Sequence, residues 1–201
     1  GVELHGAHGH LLCQFFSGET NRREDGYGGS LTNRSRILFE IIDGIRQQCH
    51  SNFMIGVRLS PERFGMKLDD SVELAQRLCV EAKIDFLDMS LWDVFKEPNE
   101  EERRGRSLLS YFSSIERGEV RLGVAGKIRT PTDVERVFAE GIDWIMLGRA
   151  AILHHNFPAL MRRDRNFLPT ENPVSREYLA NEGLSEKFID YMSSWKGFVA
   201  E

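Results

Sequence analysis

VRLGVAGKIRTPTDVERVFAEGIDWIMLGR, residues 120–149, contains one complete strand–helix–strand unit. Val120 to Val124 is an apolar run of strand length. Thr130 is placed to cap a helix, Pro131 to take its first position, Val134, Val137 and Phe138 to face inward, and Gly141 to end it. Ile142 to Leu147 is a second strand run, and Gly148 and Arg149 follow it. A helical crossover between two apolar strands predicts parallel pairing, because a tight turn joins only antiparallel neighbours.

Outward from this unit the alternation repeats. Val2 to Leu4, Phe53 to Leu59 and Ile84 to Leu91 are further apolar runs of strand length. Between the first two, Ile37, Leu38, Ile41, Ile42 and Ile45 form one stripe on a helix spanning 31 to 48. Between the next pair, Ala75, Leu78, Cys79 and Ala82 form another, with Asp69, Asp70 and Ser71 as capping candidates. Strands and helices alternating about every 30 residues predict an α/β fold with a parallel sheet, either a barrel or an open doubly wound sheet. Five strands cannot close a (β/α)8 barrel, which usually takes about 250 residues. A barrel reading therefore expects further strands ahead of Gly1, and the immediate entry into an apolar run fits that. Residues 1–201 read as one domain, with 175–201 as a helical extension packing on it. Tyr178 to Glu201, carrying Phe188, Ile189, Met192, Trp195 and Phe198, predicts a single amphipathic terminal helix, and Lys96 to Arg106 a solvated loop.

Composition excludes several classes. The 26 Lys and Arg against 31 Asp and Glu give a net charge of -5, with no block of like charge, which argues against nucleic acid. Cys13, Cys49 and Cys79 lie too far apart for a zinc ribbon, an iron–sulfur cluster or a disulfide framework, so reduced, cytoplasmic thiols are expected. No stretch approaches the roughly 20 apolar residues of a membrane span.

In a parallel α/β protein, chemistry gathers where the strands end, because loops and helix N-termini converge there. The first strand runs into His5, His8 and His10, half of the six histidines. Neutral imidazoles can donate to a carbonyl oxygen that gains charge, each donor being worth about a hundredfold in rate, or they can bind a metal. Arg58 ends an otherwise apolar strand, where a charge needs an anion, an electron-rich ligand or a structural ion pair. Ala125 and Gly126 after the fourth strand, with Gly148 and Arg149 after the fifth, are candidates for a phosphate site. The alternative is that these glycines only turn the chain.

The run GVELHGAHGHLLCQFFSGETNRREDGYGGSLTNRSR, residues 1–36, resembles the signature of the Old Yellow Enzyme and NADH:flavin oxidoreductase family: a strand ending in a His-x-x-His pair, then a loop ending in YGGS and NR. GVRLSP (56–61), GVAGKIRTPTD (123–133) and WIMLGRAAI (144–152) are similar to its later segments in the same order, so the likeness covers residues 1 to about 165. The resemblance implies the C-terminal part of a (β/α)8 barrel starting at the family's fourth strand, FMN as cofactor and NAD(P)H as reductant. It further implies that His5 and His8 grip the activating group of the acceptor near the flavin and that Arg58 lies beside the flavin pyrimidine. Ala125, Gly126, Gly148 and Arg149 are then expected at the FMN phosphate. The implied reaction passes hydride to an activated alkene or a similar small-molecule acceptor.

Where the family commonly has a tyrosine proton donor, this sequence has His10. Imidazolium is a stronger acid than phenol, with ordinary values of about 6.5 and about 10, so proton transfer remains available with a different pH dependence. The fragment alone is expected to bind FMN weakly or not at all. Two other readings stand beside this one. His8 and His10 could be the start of a zinc pair in a barrel hydrolase, or the half barrel could be a non-catalytic module that forms a homo-oligomer through an open sheet edge.

Overall fold

A computed structural model describes residues 1–81 and 83–200. Ala82, assigned to the second helical stripe, and Glu201 lie outside the described residues. Five parallel strands, β1 (Val2–Gly6), β2 (Ile55–Leu59), β3 (Phe86–Ser90), β4 (Arg121–Ala125) and β5 (Trp144–Met146), lie side by side in chain order. A doubly wound sheet reverses its strand order at a switch point. The unbroken order found here is that of a barrel segment, which decides between the two architectures that periodicity left open.

The helices α1 (Leu11–Phe16) and α2 (Leu31–Gln48) lie between the first two strands, α3 (Leu68–Val80) between the second and third, α4 (Leu108–Ser113) before β4, and α5 (Pro131–Ala139) before β5. Val57, Leu59, Leu87, Met89, Leu122 and Val124 project to one face of the sheet and are buried, as are Leu38 and Ile42 of α2 and Leu74 and Leu78 of α3. The opposite face alternates glycine with large rings. Gly56 stands opposite Phe86, and a Cβ there would come within 2.0 Å of the phenyl ring. Gly123 stands opposite Trp144, where a Cβ would meet the indole at 2.1 Å. The two rings meet edge to face at 5.4 Å.

Local signals explain most of the element ends. Ser30 caps α2, its hydroxyl accepting from Asn33 N. In α5 the Thr130 hydroxyl accepts from Asp133 N at 3.1 Å, and the Asp133 carboxylate accepts from Thr130 N at 3.0 Å, a reciprocal cap. Val134 and Val137 are buried as expected, but Phe138 is 46% exposed, because the buried stripe is narrower than the apolar sequence. Asp69, Asp70 and Ser71 do not cap α3 but lie inside its first turn. Glu100 accepts from Leu68 N at 2.7 Å in their place. The 96–106 segment is largely exposed, as expected of a charged loop, but it is anchored. Lys96 pairs with the buried Glu62, which also accepts from Asn99 N at 2.8 Å.

The loop from Ser17 to Ser30 closes on itself. The Asn21 amide donates to Phe15 O at 2.6 Å and Tyr27 O at 2.7 Å. Arg34, buried at the start of α2, donates to Phe16 O, to Gly29 O at 3.0 Å and to Asp70 at 2.9 Å. Much of the opening signature run therefore does structural work.

The chain divides into two compact units, Gly1–Gly126 with Val137–Met146, and Lys127–Arg136 with the chain from Leu147 onward. The second unit holds α6 (Arg149–Leu153), α7 (Phe157–Arg163), α8 (Arg176–Asn181) and α9 (Glu186–Ser193). The single terminal helix expected from Tyr178 onward is two helices, interrupted near Gly183 and restarted by Ser185, whose hydroxyl accepts from Phe188 N. Leu153, Val174, Leu179, Ile189, Met192 and Phe198 form the core of this unit. Phe188, counted on the apolar stripe, is exposed.

Candidate active site

The carboxyl ends of β1 to β4 bring their polar residues together within the first unit. His5 is on the strand itself, and its Nδ1 accepts from Ala7 N at 3.3 Å, so the proton of the neutral ring sits on Nε2. The chain then turns sharply. His8 takes a left-handed φ of 58° and its backbone N–H donates to the Ser60 hydroxyl at 3.0 Å, tying this turn to the end of β2. His10 N donates to Ala7 O at 3.2 Å. The turn gathers the three imidazoles, with His5 edge to face with His8 at 5.4 Å and tilted against His10 at 4.7 Å between ring centroids. Burial, then His10 and Arg58, hold His5 below the ordinary imidazole value; burial, then Arg58 and His5, do the same for His8. Both rings are therefore neutral donors at neutral pH.

Arg58 follows in register, paired with His5 on one side and Asp88 on the other. Its Nε donates to Ser90 Oγ at 2.7 Å and lies 3.1 Å from an Asp88 oxygen. The ion-pair alternative for this arginine is thus realised, and it does not use up the side chain, which stays partly exposed near the imidazoles. Asp88 was missed in the sequence. The signal was available, since FLDMS places a lone acid in an apolar strand as GVRL places a lone base. Burial pushes the Asp88 carboxyl up to about 7, Glu3 adds to the rise, and Arg58 opposes it.

Arg63 and Phe64 were also missed. Arg63 (φ 72°), Phe64 (φ 53°) and Trp92 (φ 62°) share the left-handed backbone of His8, and such conformations cluster where structure serves function. The Arg63 guanidinium lies 4.7 Å over the Trp92 ring, with Phe64 6.5 Å and His8 6.0 Å from it. These groups wall the imidazole cluster on the β2 and β3 side.

Ala125 ends β4 and Gly126 follows it. Ala125 O accepts from Leu91 N at 2.8 Å and Gly126 O from Val94 N at 3.2 Å. A Cβ on Gly126, at φ 153°, would lie 2.9 Å from Trp92 C and Asp93 N, so close backbone approach by itself requires glycine here. In the second unit Gly148 precedes α6 and the exposed Arg149 begins it. Among the described residues no three His, Cys, Asp or Glu side chains converge as metal ligands, so the zinc reading of His8 and His10 lacks its further donors. No helix among the described residues is long and apolar enough to cross a membrane.

Residues 1–167 match the NADH:flavin oxidoreductase / NADH oxidase family. The chain belongs to this family. Within the NADH:flavin oxidoreductases it is 34% identical over 176 residues to the NADH-dependent flavin oxidoreductase iccE of Talaromyces variabilis, covering 79% of this chain and 42% of that one. It is 31% identical over 176 residues to the probable NADH-dependent flavin oxidoreductase YqiG of Bacillus subtilis, covering 82% of this chain and 46% of that one. Its fold is similar to that of morphinone reductase, with a TM-score of 0.65 and 26% identity, covering 89% of this chain and 46% of that one. The chain thus spans somewhat under half the length of these relatives. The family's flavin is FMN and its reductant NAD(P)H. The groups found at the strand ends fit a flavin ring: two imidazoles kept neutral by burial can donate to electron-rich atoms, and the guanidinium beside them can balance negative charge.

Proposed function

We propose that the full-length protein is an FMN-dependent NAD(P)H oxidoreductase whose acceptor is an activated, enone-like alkene or a similar electrophile. The observation that carries this reading is the packing of His5, His8 and His10 at one strand end beside Arg58, with His5 and His8 held neutral. FMN, when bound, supplies the hydride chemistry. His5 and His8 donate hydrogen bonds to the acceptor oxygen, and the bonds strengthen as that oxygen gains charge. Arg58 contributes positive charge beside them. Phe64 and Trp92 exclude water along one wall. His10, in ring contact with His5, delivers the proton that completes alkene reduction.

The full-length protein is then expected to be yellow, to bleach on anaerobic addition of NAD(P)H and to recover its colour on addition of 2-cyclohexenone. A colourless protein, or bleached protein that the enone leaves unchanged, refutes the reading. His10→Phe tests the proton donor. Its rate of alkene reduction is expected to fall and to lose the pH dependence of the wild type between about pH 5.5 and 9. An unchanged profile eliminates His10 from this step.

A further inference from the structure

Asp88 stands mid-strand in β3 with its side chain fully buried. Few partners reach it. The residue opposite on β4 is Gly123, followed on β5 by Trp144, and neither carries charge. β2 contributes Arg58 and β1 contributes Glu3. One Asp88 oxygen is 3.1 Å from Arg58 Nε, but the single hydrogen on that nitrogen goes to Ser90 Oγ at 2.7 Å. No donor bonds either Asp88 oxygen among the described residues, and the Glu3 carboxylate that faces it can share a hydrogen bond only with the protonated acid. A buried acid left in this state is poorly explained as a stabilising feature, since an apolar side chain of similar volume would pack at lower cost. Its position against Arg58, a cation of the candidate site, gives it another use.

We propose that Asp88 is a positioning residue, whose charge draws the Arg58 guanidinium toward β3, where Ser90 takes the Nε hydrogen, and sets how much of the positive charge reaches the site at the end of β1. With the carboxyl ionised, the pair is electrically neutral and the field in front of His5 and His8 is weak. With the carboxyl protonated, the whole guanidinium charge is felt there. Burial places this change near neutral pH, with Glu3 favouring the protonated form and Arg58 the ionised one. The coupling to Arg58 stands on these contacts alone, whereas its effect on a bound flavin rests on the function proposed above.

Two measurements on the full-length protein separate these parts. The first follows the proton–nitrogen NMR signal of Arg58 Nε, identified by its loss in Arg58→Lys, from about pH 5 to 9. In the wild type it is expected to titrate once near neutrality, and in Asp88→Asn to stay flat. A flat wild-type signal overturns the proposal without any need for the variant to fold, and so does a titration that persists in Asp88→Asn. The second is the reduction potential of the bound flavin. Asp88→Asn is expected to lie above the wild type at about pH 8.5 and to match it at about pH 5.5, because only ionised Asp88 cancels the guanidinium. A gap of equal size at both pH values, or none at either, overturns the transmission of charge to the ring. Absence of flavin from the protein defeats the functional reading and leaves the Arg58 titration to judge Asp88.

Discussion

Asp88 links one side chain to the stability of the protein. The carboxyl is held at about 7 in the fold against 3.8 for the ordinary group. Folding thus favours its protonated form, so the contribution is complete below about pH 4, is lost as pH rises to about 7 and is constant beyond that. The loss is roughly 4 kcal/mol at most. Urea unfolding of wild type and Asp88→Asn at about pH 4, 5.5 and 8 should show the wild type losing stability relative to the variant across this window. A difference that does not change with pH would contradict the burial argument. His8 makes the catalytic counterpart. His8→Ala should slow reoxidation of the reduced protein by an enone about a hundredfold, as measured by stopped flow, because a preorganised neutral donor is removed. A change of less than about threefold would separate His8 from the acceptor.

Among the elements, α5 and the glycine-and-ring face of the sheet depend on single residues. Thr130→Ala removes one half of a reciprocal cap and should cost about 1 kcal/mol, with Thr130→Ser recovering most of it. Gly56→Ala drives a methyl into the Phe86 ring at 2.0 Å. It should destabilise the protein by about 1–3 kcal/mol, and the added change Phe86→Leu should restore part of the loss in thermal melts. The crossover helices α2, α3 and α5 were legible in the sequence, whereas α1, α4, α6 and α7 were not. The 31–48 helix is found at Leu31–Gln48, because its stripe and Ser30 cap are local features. The cap of α3 was not legible, since Glu100 reaches Leu68 N from 32 residues away.

Across the whole molecule, stability rests on the core of each unit. In the second, Leu179 and Met192 are fully buried among Leu153, Val174, Ile189 and Phe198. Leu179→Ala should lower the protection of amide hydrogens in this unit against exchange by about 2–5 kcal/mol. The terminal stripe misled because apolar content was read as one helix. Gly183 and the new cap at Ser185 divide it, and the core takes Ile189 and Met192 while leaving Phe188 in water.

The five strands, the crossover helices α2, α3 and α5, the parallel pairing, the family and the candidacy of His5, His8, His10 and Arg58 were readable from the sequence. These follow from local periodicity, capping residues and motifs that any neighbouring stretch of chain can express. Only the tertiary structure decided that the strands run in unbroken order, that Asp88 stands against Arg58, and that Trp92 and Arg63 wall the imidazoles. Strand order and register depend on pairing between segments far apart in the chain, as His5 with Arg58, and burial depends on what those pairings leave uncovered.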